Sequence, residues 1–172
     1  MSSPLSLATV WEVRRRISGY VLKTPMRVSA DLSERIGSDI RVKWEQHQIT
    51  GSFKLRGASN AILSLSAAEK ERGVVGVSTG NHGRGLAYAA AQAGVPAVIC
   101  MSSLVPKNKL DAIMSLGAEV RIIGKSQDEA QVEVDRLVTE DGMTIIPPFD
   151  HADIIAGQAT VGLEVLEDLP EV

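Results

Sequence analysis

Four short apolar runs limit what this chain can fold into: Val74–Val77, Ala97–Met101, Val120–Ile123 and Thr144–Ile146. Each reads as a buried strand, and the stretches between them have helical period. The alanine-rich segment Leu86–Ala93 is stopped by Gly94 and Pro96. A helix with Pro106 in its first turn runs to Leu116 and ends at Gly117. Ser126 followed by Glu129 has the form of a capping box, and opens a helix through Ala130, Val134 and Leu137 to Val138. The order is β-α-β-α-β-α-β, with continuous apolar strands. That implies an α/β unit with an open parallel sheet covered on both faces, its crossovers right-handed. Aromatics are only 3% of the chain: Trp11, Tyr20, Trp44, Phe53, Tyr88 and Phe149. The core must therefore be aliphatic and rich in Ala and Gly, which suits helices lying close on a sheet.

The flanking segments have another character. Leu7–Ile17 has apolar residues at helical steps (Leu7, Val10, Val13, Ile17), and Arg14-Arg15-Arg16 suits the negative end of its dipole as a solvated face. Ser29–Ile36 reads as a short helix closed by Gly37, Ile40–Glu45 as a strand, and Gly51–Leu65 as a turn passing into a helix. Ala156–Leu166 reads as another helix. The expected organisation is a small α/β domain over 67–150, inserted into a larger α/β domain. Residues 1–66 would begin that larger domain, and 151–172 would return to it. The chain stops at Leu169-Pro170-Glu171-Val172, straight after a helix and where a next strand would begin, so the larger domain is expected to be incomplete here.

Composition excludes several function classes. The 172 residues carry a net charge of -3, which gives no footprint for nucleic acid. The single Cys100 excludes an internal disulfide and a cysteine zinc site, and it reads as an inert core thiol. No apolar run of ~18 residues and no leader pattern is seen, so a soluble cytoplasmic protein without a membrane partner is expected. His47, His82 and His151 share no metal-ligand spacing, and no metal is expected.

Two stretches carry chemistry. Thr50-Gly51-Ser52-Phe53-Lys54-Leu55-Arg56-Gly57 lies between a strand and a helix, where ligands bind in α/β proteins. A partly buried lysine there can serve as a nucleophile when desolvation favours the neutral amine. By spacing alone, Lys54 fits a solvated helix residue better. Ser78-Thr79-Gly80-Asn81-His82-Gly83 lies between the first small-domain strand and its helix. Backbone N–H groups at a helix N-terminus attract an anion, and Ser78, Thr79 and Asn81 add donors, so a carboxylate or a phosphate fits. The glycines do not follow the dinucleotide pattern G-x-G-x-x-G. His82 can be an acid/base, although a turn-stabilising or ligand-orienting role suits a histidine with no visible partner better.

Taken together, the two stretches are more specific. Lys43-x-Glu45-x-x-Gln48-x-Thr50-Gly51-Ser52-Phe53-Lys54-x-Arg56-Gly57-Ala58 followed by Ser78-Thr79-Gly80-Asn81-His82-Gly83 resembles the serine/threonine dehydratase and serine racemase group of pyridoxal-phosphate enzymes, the β-family or fold type II. Pro25, Gly117-Ala118-Glu119-Val120 and Ala156-Gly157-Gln158-x-Thr160 also match, and the resemblance covers essentially all of the chain as the N-terminal half of such an enzyme. Leu55 followed by Arg56-Gly57-Ala58 looks like the dehydratase branch.

The resemblance implies roles. Lys54 would hold pyridoxal 5'-phosphate as a Schiff base and act as general base. Phe53 would pack near the cofactor ring, and Asn81 would hydrogen-bond its phenolic oxygen. Ser78, Thr79, Gly80, Asn81 and His82 would line the site for the substrate's α-carboxylate. The implied reaction is β-elimination from a hydroxy-amino acid such as L-threonine or L-serine, giving a 2-oxo acid and ammonia, in a homo-oligomer (dimer or tetramer). Thr79 stands where the racemases have a second serine, which makes racemisation the alternative and dehydration the first reading. A non-catalytic binding or interaction fragment is a further alternative, because the family's glycine-rich phosphate loop has no counterpart in these 172 residues. Ile99–Lys109 with Pro147-Pro148-Phe149-Asp150-His151 also looks similar to hydroxyectoine-utilisation dehydratases, which would shift the substrate to a hydroxyectoine breakdown product.

Overall fold

The computed structural model describes residues 5–78 and 80–172. The chain opens with α1 (Leu7–Ile17), capped by Ser6 Oγ accepting from Thr9 N at 3.1 Å and burying Val10, Val13 and Ile17. Next come β1 (Met26–Val28), α2 (Ala30–Ile36) and β2 (Arg41–Lys43). β1 and β2 form an antiparallel ribbon, with Met26 opposite Lys43 and Val28 opposite Arg41. The strand expected over Ile40–Glu45 is shorter, and β1 was not anticipated. Trp44 N donates to the Pro25 carbonyl at 2.9 Å, but Pro25 has no N–H to return and the ladder ends. The chain then turns through a 3-10 helix, Glu45–His47, into α3 (Lys54–Ser64) and α4 (Ala67–Arg72). α4 carries a complete capping box from Ser66 and Glu69.

The α/β part follows as β3 (Val74–Val77), α5 (Asn81–Ala93), β4 (Ala97–Met101), α6 (Lys107–Met114), β5 (Glu119–Ile122), α7 (Gln127–Glu140) and β6 (Thr144–Ile145). The four strands form one sheet in the order β5-β4-β3-β6, all parallel, as the apolar runs imply. At α7, Ser126 Oγ accepts from Glu129 N at 3.1 Å, while the Glu129 carboxylate turns to Ser126 Oγ and Lys125 N, so the expected box is half made. The chain ends with α8 (Ala152–Asp168).

α5 begins five residues before the expected Leu86. Gly83 and Gly85 weaken helix propensity, yet tertiary packing requires a small residue at 85: a Cβ there would lie 3.2 Å from the Cα and N of Leu55. Gly85 therefore brings α5 against the first turn of α3. One aliphatic cluster joins Leu55, Ala58 and Ile62 of α3 to Val74, Leu86, Ile99 and Met101, and takes in Ile154 of α8. A second cluster, Val75, Val98, Cys100, Ala130, Val134 and Leu137, lies under α7. The sheet is thus covered on both faces. α3 also crosses α8 closely: a Cβ on Gly157 would sit 2.5 Å from the Gly57 Cα.

Candidate active site

Both chemistry-bearing stretches end at the carboxyl edge of the sheet. Lys54 is the first residue of α3, and its backbone N–H donates to Ser52 Oγ at 3.2 Å. Its side chain is half-buried, and Nζ donates to the Pro148 carbonyl at 2.7 Å. Nζ also lies 5.3 Å from the centroid of the Phe53 ring, close enough for a cation–π attraction. Phe53 is exposed, so the ring presents an apolar face beside the amine.

At the start of α5, Ser78 caps the helix from two residues outside it. Its Oγ accepts from Gly83 N at 2.9 Å and from Gly80 N at 3.3 Å, which leaves the hydroxyl hydrogen free to donate. Gly80 has open space where a Cβ would stand, and Asn81 is exposed on the first turn. Thr79, the remaining residue of the stretch, lies outside the described residues. His82 is buried, and Nε2 meets the Ile146 carbonyl at 2.9 Å. Since a carbonyl only accepts, Nε2 carries the hydrogen. Nδ1 is then a lone-pair acceptor, buried with no partner among the described residues. Burial foremost, with the Lys54 charge adding, holds the His82 imidazole below its ordinary range against the opposing pull of the Ile146 carbonyl. His82 is therefore neutral at pH 7 and is oriented by backbone.

The two stretches are bridged by Ile146-Pro147-Pro148. The carbonyl of Ile146 holds His82 and the carbonyl of Pro148 holds Lys54. Spacing arguments do not find this bridge, because backbone carbonyls leave no signature in sequence. The Pro147-Pro148 pair, which cannot donate and has fixed φ, is the available clue.

Sequence reasoning also missed a buried charge cluster behind Lys54. Arg56 is fully buried and forks to two carboxylates. Nε and Nη2 donate to Glu45 at 2.9 and 2.8 Å, and Nη1 and Nη2 donate to Glu164 at 2.7 and 3.0 Å. Lys43 Nζ reaches Glu164 at 2.7 Å. Two cations face two anions, so the cluster is neutral. Desolvation pushes the Glu164 carboxyl up, but hydrogen bonds from Arg56 and Lys43 prevail and hold it below the usual carboxylate range. The signal was present as Arg56 on a buried helix and Glu164 in an otherwise apolar one.

The remaining candidates are structural. Cys100 is buried in β4, and burial pushes its thiol up to about 11, where little thiolate exists at neutral pH. His47 is exposed and stacks edge-on against Trp44 at 5.7 Å. His151 caps α8, with Nδ1 accepting from Asp153 N at 3.3 Å. Among the described residues there is no group of three or more His, Cys, Asp or Glu suited to a metal ion. No described helix is long and apolar enough to cross a membrane.

A parallel sheet with a lysine and an open helix N-terminus at its carboxyl edge defines an α/β enzyme of the fold type II kind. The chain belongs to the pyridoxal-phosphate dependent enzyme family, whose model matches residues 17–172. It is 57% identical over 170 residues to a Sinorhizobium fredii protein carrying the provisional name threonine dehydratase, covering 99% of this chain and 51% of that one. It is 42% identical over 168 residues to the L-threonine ammonia-lyase of Thermotoga maritima, covering 98% of this chain and 42% of that protein. The fold is similar to that of maize serine racemase, with a TM-score of 0.94 at 33% identity, covering 99% of this chain and 52% of the racemase. The chain spans about half the length of the curated relatives it matches.

Proposed function

We propose that this chain is the lysine-bearing half of a pyridoxal-phosphate-dependent ammonia-lyase, which dehydrates hydroxy-amino acids such as L-threonine or L-serine to a 2-oxo acid and ammonia. The observation that carries this reading is the placement of the Lys54 amine at the sheet's carboxyl edge, 2.7 Å from the Pro148 carbonyl, beside an exposed aromatic ring. The names of the two relatives support the substrate class. Residues 1–66 and 151–172 are read as parts of one domain interrupted by 67–150. The packing of Val13 and Ile17 of α1 with Ala156 of α8 supports that division.

The residues present fit the cofactor. Lys54 would carry it, Phe53 would lie along its ring, and the exposed amide of Asn81 would reach its ring oxygen. The open space at Gly80 and the orphaned His82 Nδ1 leave room and an acceptor beside it. When bound, pyridoxal phosphate supplies an electron sink for the pair left at the substrate α-carbon. The chain's own residues do the rest. Lys54 Nζ takes the α-proton as general base, and the Pro148 carbonyl steadies the resulting ammonium. Backbone N–H groups in the first turn of α5 and the free hydroxyl hydrogen of Ser78 orient the substrate carboxylate, aided by the helix dipole. His82 stays uncharged, fixes the Ile146–Pro148 bridge and adds no competing cation.

The test is a panel of L-serine, L-threonine and hydroxyectoine-derived amino acids, read by 2-oxo acid and ammonia formation on the complete protein. Turnover of at least one of them that disappears in Lys54→Ala is the expected result. The likeness to maize serine racemase favours a second reading, in which D-serine forms from L-serine. D-serine without 2-oxo acid would replace the proposal with that reading.

A further inference from the structure

Lys54 and Arg56 stand two residues apart in the first turn of α3, so they leave the helix about 200° apart. Whatever fixes one therefore sets the direction of the other. The start of α3 has little else to hold its rotation. Phe53, at the N-cap, makes no side-chain cap bond, and the contact with α8 at Gly57 and Gly157 is backbone on backbone, with no side chain to key it.

We propose that Arg56 is a positioning residue for Lys54: as a rigid fork between Glu45 and Glu164 it fixes the rotation of α3 and thereby the place of the Lys54 amine. This rests on the reading of Lys54 as the reactive amine. All three guanidinium nitrogens are engaged. Besides the two carboxylates, Nη2 donates to the Leu22 carbonyl at 3.2 Å and Nη1 to Thr160 Oγ1 at 3.3 Å. Those partners come from the turn after α1, from the 3-10 helix before the Lys54 loop, and from α8. The fork thus refers α3 to three separate elements at once. α8 matters twice, since it supplies Glu164 and Thr160 on one side of α3 and follows directly from Pro148, which holds Lys54 on the other. A lysine at 56 would keep the charge but not the planar fork, so charge and geometry can be separated.

The test is the rate at which pyridoxal 5'-phosphate, trapped with borohydride, labels Lys54, measured by peptide mass spectrometry against the exposed Lys107 and Lys125 of the same molecules. A residue that only stabilised the fold would lower the melting temperature and leave this ratio unmoved in folded protein. Arg56→Lys should lower the Lys54 rate about tenfold, with Lys107 and Lys125 unchanged. Should Arg56→Lys not fold, Glu45→Gln keeps the Glu164 arm and should lower the Lys54 rate about threefold. An unchanged ratio in the variant that folds, at native circular dichroism, overturns the inference alone. Absence of Lys54 label in the unsubstituted protein removes the proposed function and this inference with it.

Discussion

The parallel sheet and the α3–α8 seam are built on opposite physical terms. The sheet is held by aliphatic burial: Val74, Val75, Ile99, Cys100 and Met101 are fully buried, and nothing charged is buried with them in either cluster of the sheet. The seam instead encloses Lys43, Glu45, Arg56 and Glu164, with glycines pressed together alongside. Burial of apolar area is non-directional, so a sheet tolerates small changes of shape. A buried charge cluster is directional and is satisfied in one arrangement. The lysine that carries the chemistry starts from the directional side and points to the edge of the aliphatic one.

The difference can be broken most severely at the seam. Arg56→Ala leaves two carboxylates buried without their cation and should cost about 3–5 kcal/mol, seen as a large fall in the urea midpoint. A loss under about 1 kcal/mol would mean that water enters and takes over the arginine's bonds.

Where the seam's product meets the sheet, His82 gives a pH-dependent effect. Its imidazole is held below the ordinary histidine range, so the folded state binds fewer protons than the unfolded state as pH falls. The stability it allows is complete above about pH 6.5 and is lost as pH falls toward the folded value, with a slope of at most about 1.4 kcal/mol per pH unit. His82→Asn, whose amide can still donate, should remove that slope between about pH 6.5 and 5. A slope that persists would place the titrating group elsewhere.

The sheet should give the smallest effect. Ile99→Val removes one buried methylene from an aliphatic cluster and should cost about 0.5–1.5 kcal/mol. It should leave the labelling of Lys54 untouched, because nothing in the sheet fixes the rotation of α3. An effect on Lys54 as large as that of Arg56→Lys would erase the distinction between the two regions.

The same contrast explains what was legible in the sequence. The apolar runs and helical periods gave the four parallel strands and most helices, since burial writes itself into local pattern. The start of α5 was misread because Gly83 and Gly85 mimic a loop, whereas they serve the approach of α5 to Leu55. The β1–β2 ribbon was half seen, as three-residue strands leave little pattern. In the site, Lys54 and the Ser78–Gly83 stretch stood out as residue types at a strand–helix junction. Their partners did not. The carbonyls of Ile146 and Pro148 lie more than sixty residues away in the chain from what they hold, and the Arg56–Glu164 pair spans 108 residues. Long-range polar pairing has no period, so only the folded chain displays it.

The central claim, that Lys54 is the amine that takes the cofactor, has a direct test. The protein is incubated with pyridoxal 5'-phosphate, reduced with borohydride, digested and mapped by mass. A single dominant pyridoxyl group on the peptide containing Phe53-Lys54, absent in Lys54→Ala, is the predicted result. Label spread over the surface lysines, or concentrated on another lysine while Lys54 stays unmodified, would contradict it.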